Sequence, residues 1–266
     1  MSTTATAFAK ARAEGRAALV GYLPAGFPDV EGGIDALRTM VEHGCDVIEI
    51  GLPYSDPVMD GPTIQAAAQQ ALEHGTRTAD VLRTVEAVAA TGVPTLVMTY
   101  WNPVERYGVE RFAADLASAG GAGLITPDLV PDEAAEWIAA ADAHELDKVF
   151  LVAPSSTDER LRSTTAACRG FVYATAVMGV TGARESTSEL AGPLVERTRA
   201  FTDLPVGVGL GVSNGEQAAE LARYADGVIV GSAFVRRLLD AGADSAAGLA
   251  SLADLTRDLA QGVRGA

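Results

Sequence analysis

Lysine is almost absent from this chain of 266 residues, with Lys10 and Lys148 the only two. Carbonyl chemistry through a lysine imine is therefore disfavoured, because Lys10 falls in a leading helical segment and Lys148 opens a strand instead of ending one. Histidine is scarce as well. His43, His74 and His144 each come late in a helix-like stretch, so the pattern points to neither a histidine general base nor a histidine-built metal cluster. Two cysteines, Cys45 and Cys168, make no disulfide framework, and a chain with this much core needs no covalent staple; both read as buried reduced thiols.

Positive charge is short too. The formal net charge of −15 argues against a general affinity for nucleic acid or anionic membranes, both of which demand a basic surface. No stretch reaches the roughly 18 apolar residues of a membrane span, and no long apolar run follows the basic residues of MSTTATAFAKARAEG. A soluble cytoplasmic protein that acts on small molecules or protein partners is expected.

What is present is alternation. Short β-branched runs at 18–23, 46–51, 94–99, 122–126, 148–153, 170–175, 205–210 and 226–231 predict eight strands. Helical periodicity fills the intervals at 30–43, 63–74, 79–90, 109–119, 132–144, 158–168, 190–201 and 215–224, with extra helices at 5–14 and 246–259. Nearly unbroken apolar strands joined by helices mean a parallel sheet covered on both faces. An open doubly wound sheet is the competing architecture, but GYLPAGFPD after the first strand lacks its G-x-G-x-x-G spacing. Eight units in a chain close to the usual length of about 250 residues favour a (β/α)8 TIM barrel with extra helices, one domain over residues 1–266. The 42 residues between Gly51 and Pro94 require an added helix near 62–75.

Such barrels gather their chemistry at the C-terminal ends of the strands. Strands six, seven and eight run into MGVTGARES, GVGLGVSNGEQ and GVIVGSAF, three Gly-rich exits in succession. Glycine lets backbone N–H groups approach an anion closely, so these exits predict a phosphate site. On the second strand, Ile48 and Ile50 suit the helix-packed exterior, so Val47 and Glu49 should point into the barrel. Glu49 then reads either as a buried carboxylate satisfied by backbone donors or an arginine, or as an acid at the ligand mouth with its pKa raised by burial. Asp60 reads as a loop or capping aspartate or as a second site carboxylate, and Asp56 as a turn initiator.

The stretch IEIGLPYSDPVMDG, residues 48–61, resembles the signature of the tryptophan synthase alpha subunit family, with GYLPAGFP, TYWNP, PDLVPDE, MGVTGAR, GLGVS and VGSAF following its order over essentially the full chain. That resemblance implies reversible cleavage of indole-3-glycerol phosphate to indole and glyceraldehyde 3-phosphate. It implies Glu49 as the proton-transferring acid/base and Asp60 as the carboxylate on the indole N–H. Tyr22, Tyr100 and Tyr173 are implied as pocket residues, Thr181 as a loop threonine that closes on Asp60, and Gly182, Gly211, Gly231 and Ser232 as the phosphate site. Asp56 and Pro57 fall where the family meets a beta subunit in an alpha2beta2 heterotetramer. No cofactor or metal is implied in this chain, since the pyridoxal phosphate belongs to the beta subunit.

The chain departs from the family's usual pattern at three places: Phe27 where an acidic residue often stands, Met59 in place of a small residue, and the pair Val177-Met178 in place of Ser-Arg. Two other readings stay open from sequence. One is a different phosphate-binding barrel, such as a sugar-phosphate isomerase, and the other is a noncatalytic allosteric module of a beta-type partner.

Overall fold

A computed structural model describes residues 3–175 and 188–265. Nine parallel strands run in the order β5-β4-β3-β2-β1-β9-β8-β7-β6. They are β1 (Ala18–Pro24), β2 (Val47–Gly51), β3 (Thr95–Met98), β4 (Gly123–Ile125), β5 (Asp147–Val149), β6 (Leu151–Val152), β7 (Val172–Thr175), β8 (Val206–Gly209) and β9 (Gly227–Val230). The two ends of that order are halves of one strand, divided only by Phe150, so the ladder closes into an eight-membered barrel. The predicted strand 148–153 is this divided strand.

The helices alternate with the strands. They are α1 (Thr4–Ala13), α2 (Val30–His43), α3 (Pro62–Glu73), α4 (Thr78–Ala89), α5 (Trp101–Tyr107), α6 (Val109–Ser118), α7 (Ala135–Ala143), α8 (Asp158–Ala167), α9 (Ser188–Arg199), α10 (Gly215–Ala222), α11 (Ser232–Ala241) and α12 (Ser245–Gly262). The added helix expected after β2 is α3, which starts at Pro62, where the missing N–H costs nothing. Its successor α4 is capped by Asp80, whose carboxylate accepts the Arg77 N–H at 2.9 Å. Two helices escaped the sequence reading. Asn102-Pro103, a turn-type pair, stands in the first turn of α5, and α11 begins inside the GVIVGSAF exit that predicts a phosphate site. The predicted helix 132–144 is split into a short 3-10 turn at Pro131–Glu133 and α7.

Alternation sorts the core into two layers. Ile48, Ile50, Val97, Leu124 and Val172 pack outward against the helices, while Val20, Val47, Leu96, Ile125, Val149 and Ile229 fill the barrel. Phe8 of α1 packs on Phe171 from below, with ring centroids 5.1 Å apart. Asp147 anchors α1 there, accepting from the Thr4 hydroxyl at 2.5 Å and the Thr4 N–H at 3.1 Å. The inward positions of β8 are glycine, and this makes room for aromatic rings: a Cβ on Gly207 would meet Phe171, and one on Gly209 would lie 2.4 Å from the Tyr173 hydroxyl. Gly207 and Gly209, read from sequence as part of an anion loop, are thus required by packing inside the barrel.

Cys45 and Cys168 are free thiols, the first buried and the second only partly so. Among the described residues no helix is long and apolar enough to cross a membrane. His43 ends α2, and His74 and His144 follow the ends of α3 and α7, remote from the strand exits.

Candidate active site

The pleat of β2 turns Glu49 inward, where its side chain is 1% exposed. Neither carboxylate oxygen has a hydrogen-bond partner among the described residues. Among the described residues no backbone donor or arginine satisfies it, as a purely structural carboxylate would require. An unpartnered buried carboxylate disfavours its own charge, and burial pushes the Glu49 pKa up to about 8. Its register neighbours across the ladder are Tyr22 on β1 and Leu96 on β3. The phenol of Tyr22 sweeps over Gly51, where a Cβ would lie 2.2 Å from its hydroxyl.

Beyond Gly51 the chain leaves the barrel, runs along its rim and returns at Asp60. Tyr100, the residue before α5, holds that return. Its hydroxyl accepts the Met59 N–H at 3.0 Å and donates to the Asp60 carboxylate. Its ring lies 5.4 Å from that of Tyr54, whose hydroxyl accepts from Asn102 at 3.1 Å. Asp60 is half-buried, and burial raises its pKa while the Tyr100 hydroxyl pulls it back down. Asp60 does not cap α3: Gly61 takes that position, and only the backbone carbonyl of Asp60 binds the adjoining helix, accepting from Gln65 at 2.7 Å.

Glu49, Asp60, Tyr22 and Tyr173 all line one cavity at the C-terminal mouth of the barrel. Met98, Leu151, Leu210 and Ile229 give it apolar walls, and Gly211, Gly231 and Ser232 lie along its edge. Inward alternation near the strand ends was the signal for Met98, Leu151 and Ile229, which the sequence reading missed. At the edge, no side chain caps the N-terminus of α11, so Gly231 and Ser232 present a helix start with its positive dipole end toward the cavity. The start of α10 is different. Asn214 accepts from Gln217 at 2.9 Å and Asp258 from the Gly215 N–H at 2.7 Å, so those donors are taken. Gly211 adopts φ +70°, a turn that suits glycine.

Tyr100 does not line the cavity; it stands behind Asp60. Thr181 and Gly182, with the Val177-Met178 departure, lie outside the described residues. Asp56 is exposed on the outer rim and accepts from the Ser55 hydroxyl at 2.6 Å, and Pro57 lies beside Val58, which is 71% exposed. Of the two remaining departures, Met59 lines the cavity and Phe27 is buried in the core. An apolar slot with a proton-holding carboxyl on its wall, a second carboxylate at its lip and a helix start at its edge suits an aromatic ligand bearing a phosphate.

The model of the family described as tryptophan synthase alpha chain matches residues 8–264. The chain belongs to the tryptophan synthase alpha chain family. It is 64% identical to the tryptophan synthase alpha chain of Acidothermus cellulolyticus, over 99% of this chain and 98% of that one. With the corresponding chain of Salinispora tropica the identity is 65%, over the same shares of each. A solved tryptophan synthase structure from Mycobacterium tuberculosis superposes with a TM-score of 0.92 at 57% identity, covering 99% of this chain and 98% of that chain. A tryptophan synthase alpha subunit from Legionella pneumophila, only 30% identical, still reaches 0.90 over the full length of both.

As a tryptophan synthase alpha chain the protein is a carbon–carbon lyase. It cleaves indole-3-glycerol phosphate reversibly to indole and glyceraldehyde 3-phosphate in tryptophan biosynthesis, and its family works with a beta subunit.

Proposed function

We propose that Glu49 and Asp60 divide the acid–base work of this cleavage. Breaking the bond between indole C3 and the glyceryl carbon needs an electron sink. The indole ring can serve as one. Glu49, which burial keeps protonated at neutral pH, gives its proton to C3 and turns the ring into an indolenine with a positive N–H. As the adjacent glyceryl hydroxyl loses its proton to Glu49, the C–C bonding electrons pass into the ring. Indole leaves with an ordinary N–H, and the hydroxyl carbon becomes the aldehyde of glyceraldehyde 3-phosphate. The proton count is unchanged over the cycle. Asp60, whose ionised form the Tyr100 hydroxyl favours against the opposing effect of burial, accepts the ring N–H and stabilises the positive charge that develops there.

The remaining roles follow the cavity. Gly211, Gly231 and Ser232 hold the phosphate with backbone and hydroxyl donors, joined by Gly182, while Tyr22 and Tyr173 flank the reacting carbons and Thr181 closes over Asp60. The rim at Asp56 and Pro57 meets the beta subunit in an alpha2beta2 heterotetramer, in which the beta subunit alone carries pyridoxal phosphate. The chain acts as a single barrel domain in the cytoplasm.

The observation that carries this reading is a carboxyl with no hydrogen-bond partner among the described residues, sharing one cavity with a second, partnered carboxylate. Purified chain given indole-3-glycerol phosphate, with and without a beta subunit, should release indole in both cases and faster with the partner. No indole in either condition overturns the reading. A narrower test addresses Tyr100, assigned here to positioning Asp60. Tyr100→Phe removes the hydrogen bond that favours ionised Asp60, so the acid limb of kcat/KM should move to higher pH. An unmoved acid limb contradicts that role even if the overall rate falls.

A further inference from the structure

At the opposite, N-terminal end of the barrel lies a second concavity of different chemistry. The end of α1, the turn at 15–17, the last turn of α9 and the turn at 222–226 enclose it. Arg12, Arg16, Arg199 and Arg223 line it, and among the described residues Asp226 is the only carboxylate on its wall. That balance is the reverse of the chain as a whole, with its net charge of −15.

The four guanidiniums are not equivalent. Arg16 is used up: it donates twice to Asp46, at 2.6 and 2.8 Å, and once each to Glu14 at 2.7 Å and the Ala17 carbonyl at 3.1 Å. Arg12 and Arg199 each give one N–H to Asp226, both at 3.0 Å, and their side chains stay 66% and 44% exposed. Most of their donors are therefore open. Asp226 also accepts the Val206 N–H at 2.9 Å, so it holds the two guanidiniums side by side and has little left to offer a cation. Arg223 is exposed and has no ion pair among the described residues. Tyr224 lines the same wall, and its hydroxyl is buried without a hydrogen-bond partner among the described residues.

Helix stability explains part of this. Arg12 and Arg199 sit in the last turns of α1 and α9, where a cation offsets the negative end of the dipole. It explains neither Arg223 nor the orphaned hydroxyl of Tyr224. Arg12, Arg199 and Arg223 set against Asp226 leave a surplus of two positive charges, the complement of a phosphate monoester. Donors from three directions suit a tetrahedral oxyanion better than a planar carboxylate. The acidic groups nearby, Glu14, Asp46 and Glu220, do not line the concavity.

We propose that this concavity is an anion site for the phosphate group of a small phosphorylated molecule, separate from the catalytic cavity. Asp226 aligns Arg12 and Arg199, Arg223 supplies the charge left unneutralised, and Tyr224 donates its hydroxyl.

Calorimetric titration of the full chain with inorganic pyrophosphate tests the site, with Ser232→Glu run in parallel to place a repelling carboxylate at the catalytic phosphate position. One binding event per chain should survive that substitution. Arg223→Ala should weaken it roughly tenfold, the usual loss for one charge-assisted contact, and Tyr224→Phe should weaken it less. Indole release should stay unchanged in both variants. Arg223 is exposed, so its substitution leaves the fold intact. The proposal is overturned if Ser232→Glu abolishes all pyrophosphate binding, or if Arg223→Ala and Tyr224→Phe both bind it as the parent does.

Discussion

Glu49→Gln should lower indole release by about two to four orders of magnitude, the usual contribution of a positioned general acid or base, while binding of a phosphate analogue is retained. Glutamine keeps the shape of the buried side chain and cannot give or take the proton. The pH dependence separates this loss from misfolding. In the parent, burial raises the Glu49 pKa to about 8, above the unfolded value of about 4.3. Between those values the folded chain holds a proton that the unfolded chain has lost, so folding stability falls as pH rises and levels off above about 8. Glutamine carries no such penalty. Relative to the parent, Glu49→Gln should therefore gain stability as pH rises from 5 to 9, read as Tm. An active variant, or one destabilised across that range, contradicts the assignment.

Asp60→Asn is the second large effect, a fall of about two to three orders of magnitude in kcat, comparable to deleting one preorganised electrostatic partner of a transition state. Asparagine can still accept a hydrogen bond from the indole N–H, so substrate binding should change little. What it lacks is the negative charge opposite the developing indolenine. The loss should accordingly appear in kcat much more than in KM. A variant that only raises KM places Asp60 in binding and removes it from catalysis. Asp60 reaches the cavity lip because Tyr100 clamps the chain at Met59 and Asp60 together, so its role depends on a residue that does not line the cavity.

That dependence shows where sequence is informative. The barrel was legible because strands buried on both faces are apolar throughout, and every predicted strand lies within two residues of an observed one at each end, the fifth being divided at Phe150. The inward aim of Glu49 was legible from the two isoleucines beside it. Tyr100 was not: the family resemblance implied a pocket residue, and its actual position is set by α5, whose Asn-Pro start resembles a turn. The glycines misled in part for a related reason. Gly209 and Gly231 both close inward strand positions, but Gly209 yields its space to Tyr173 whereas Gly231 begins an uncapped helix at the cavity edge. Local pattern cannot separate these uses, because each depends on a side chain arriving from another strand. The same holds for the arginines at the N-terminal face, which come from segments nearly two hundred residues apart and meet only when the barrel closes.

The account rests on a buried carboxyl that holds its proton at neutral pH until substrate arrives. Carbon-13 NMR of the chain labelled at glutamate carboxyl carbons, with Glu49→Gln used to assign the resonance, reads that proton directly. The expected result is a single carboxyl titrating near 8, missing from the variant spectrum. A Glu49 resonance that titrates near 4.5, the value for an ordinary exposed glutamate, contradicts it.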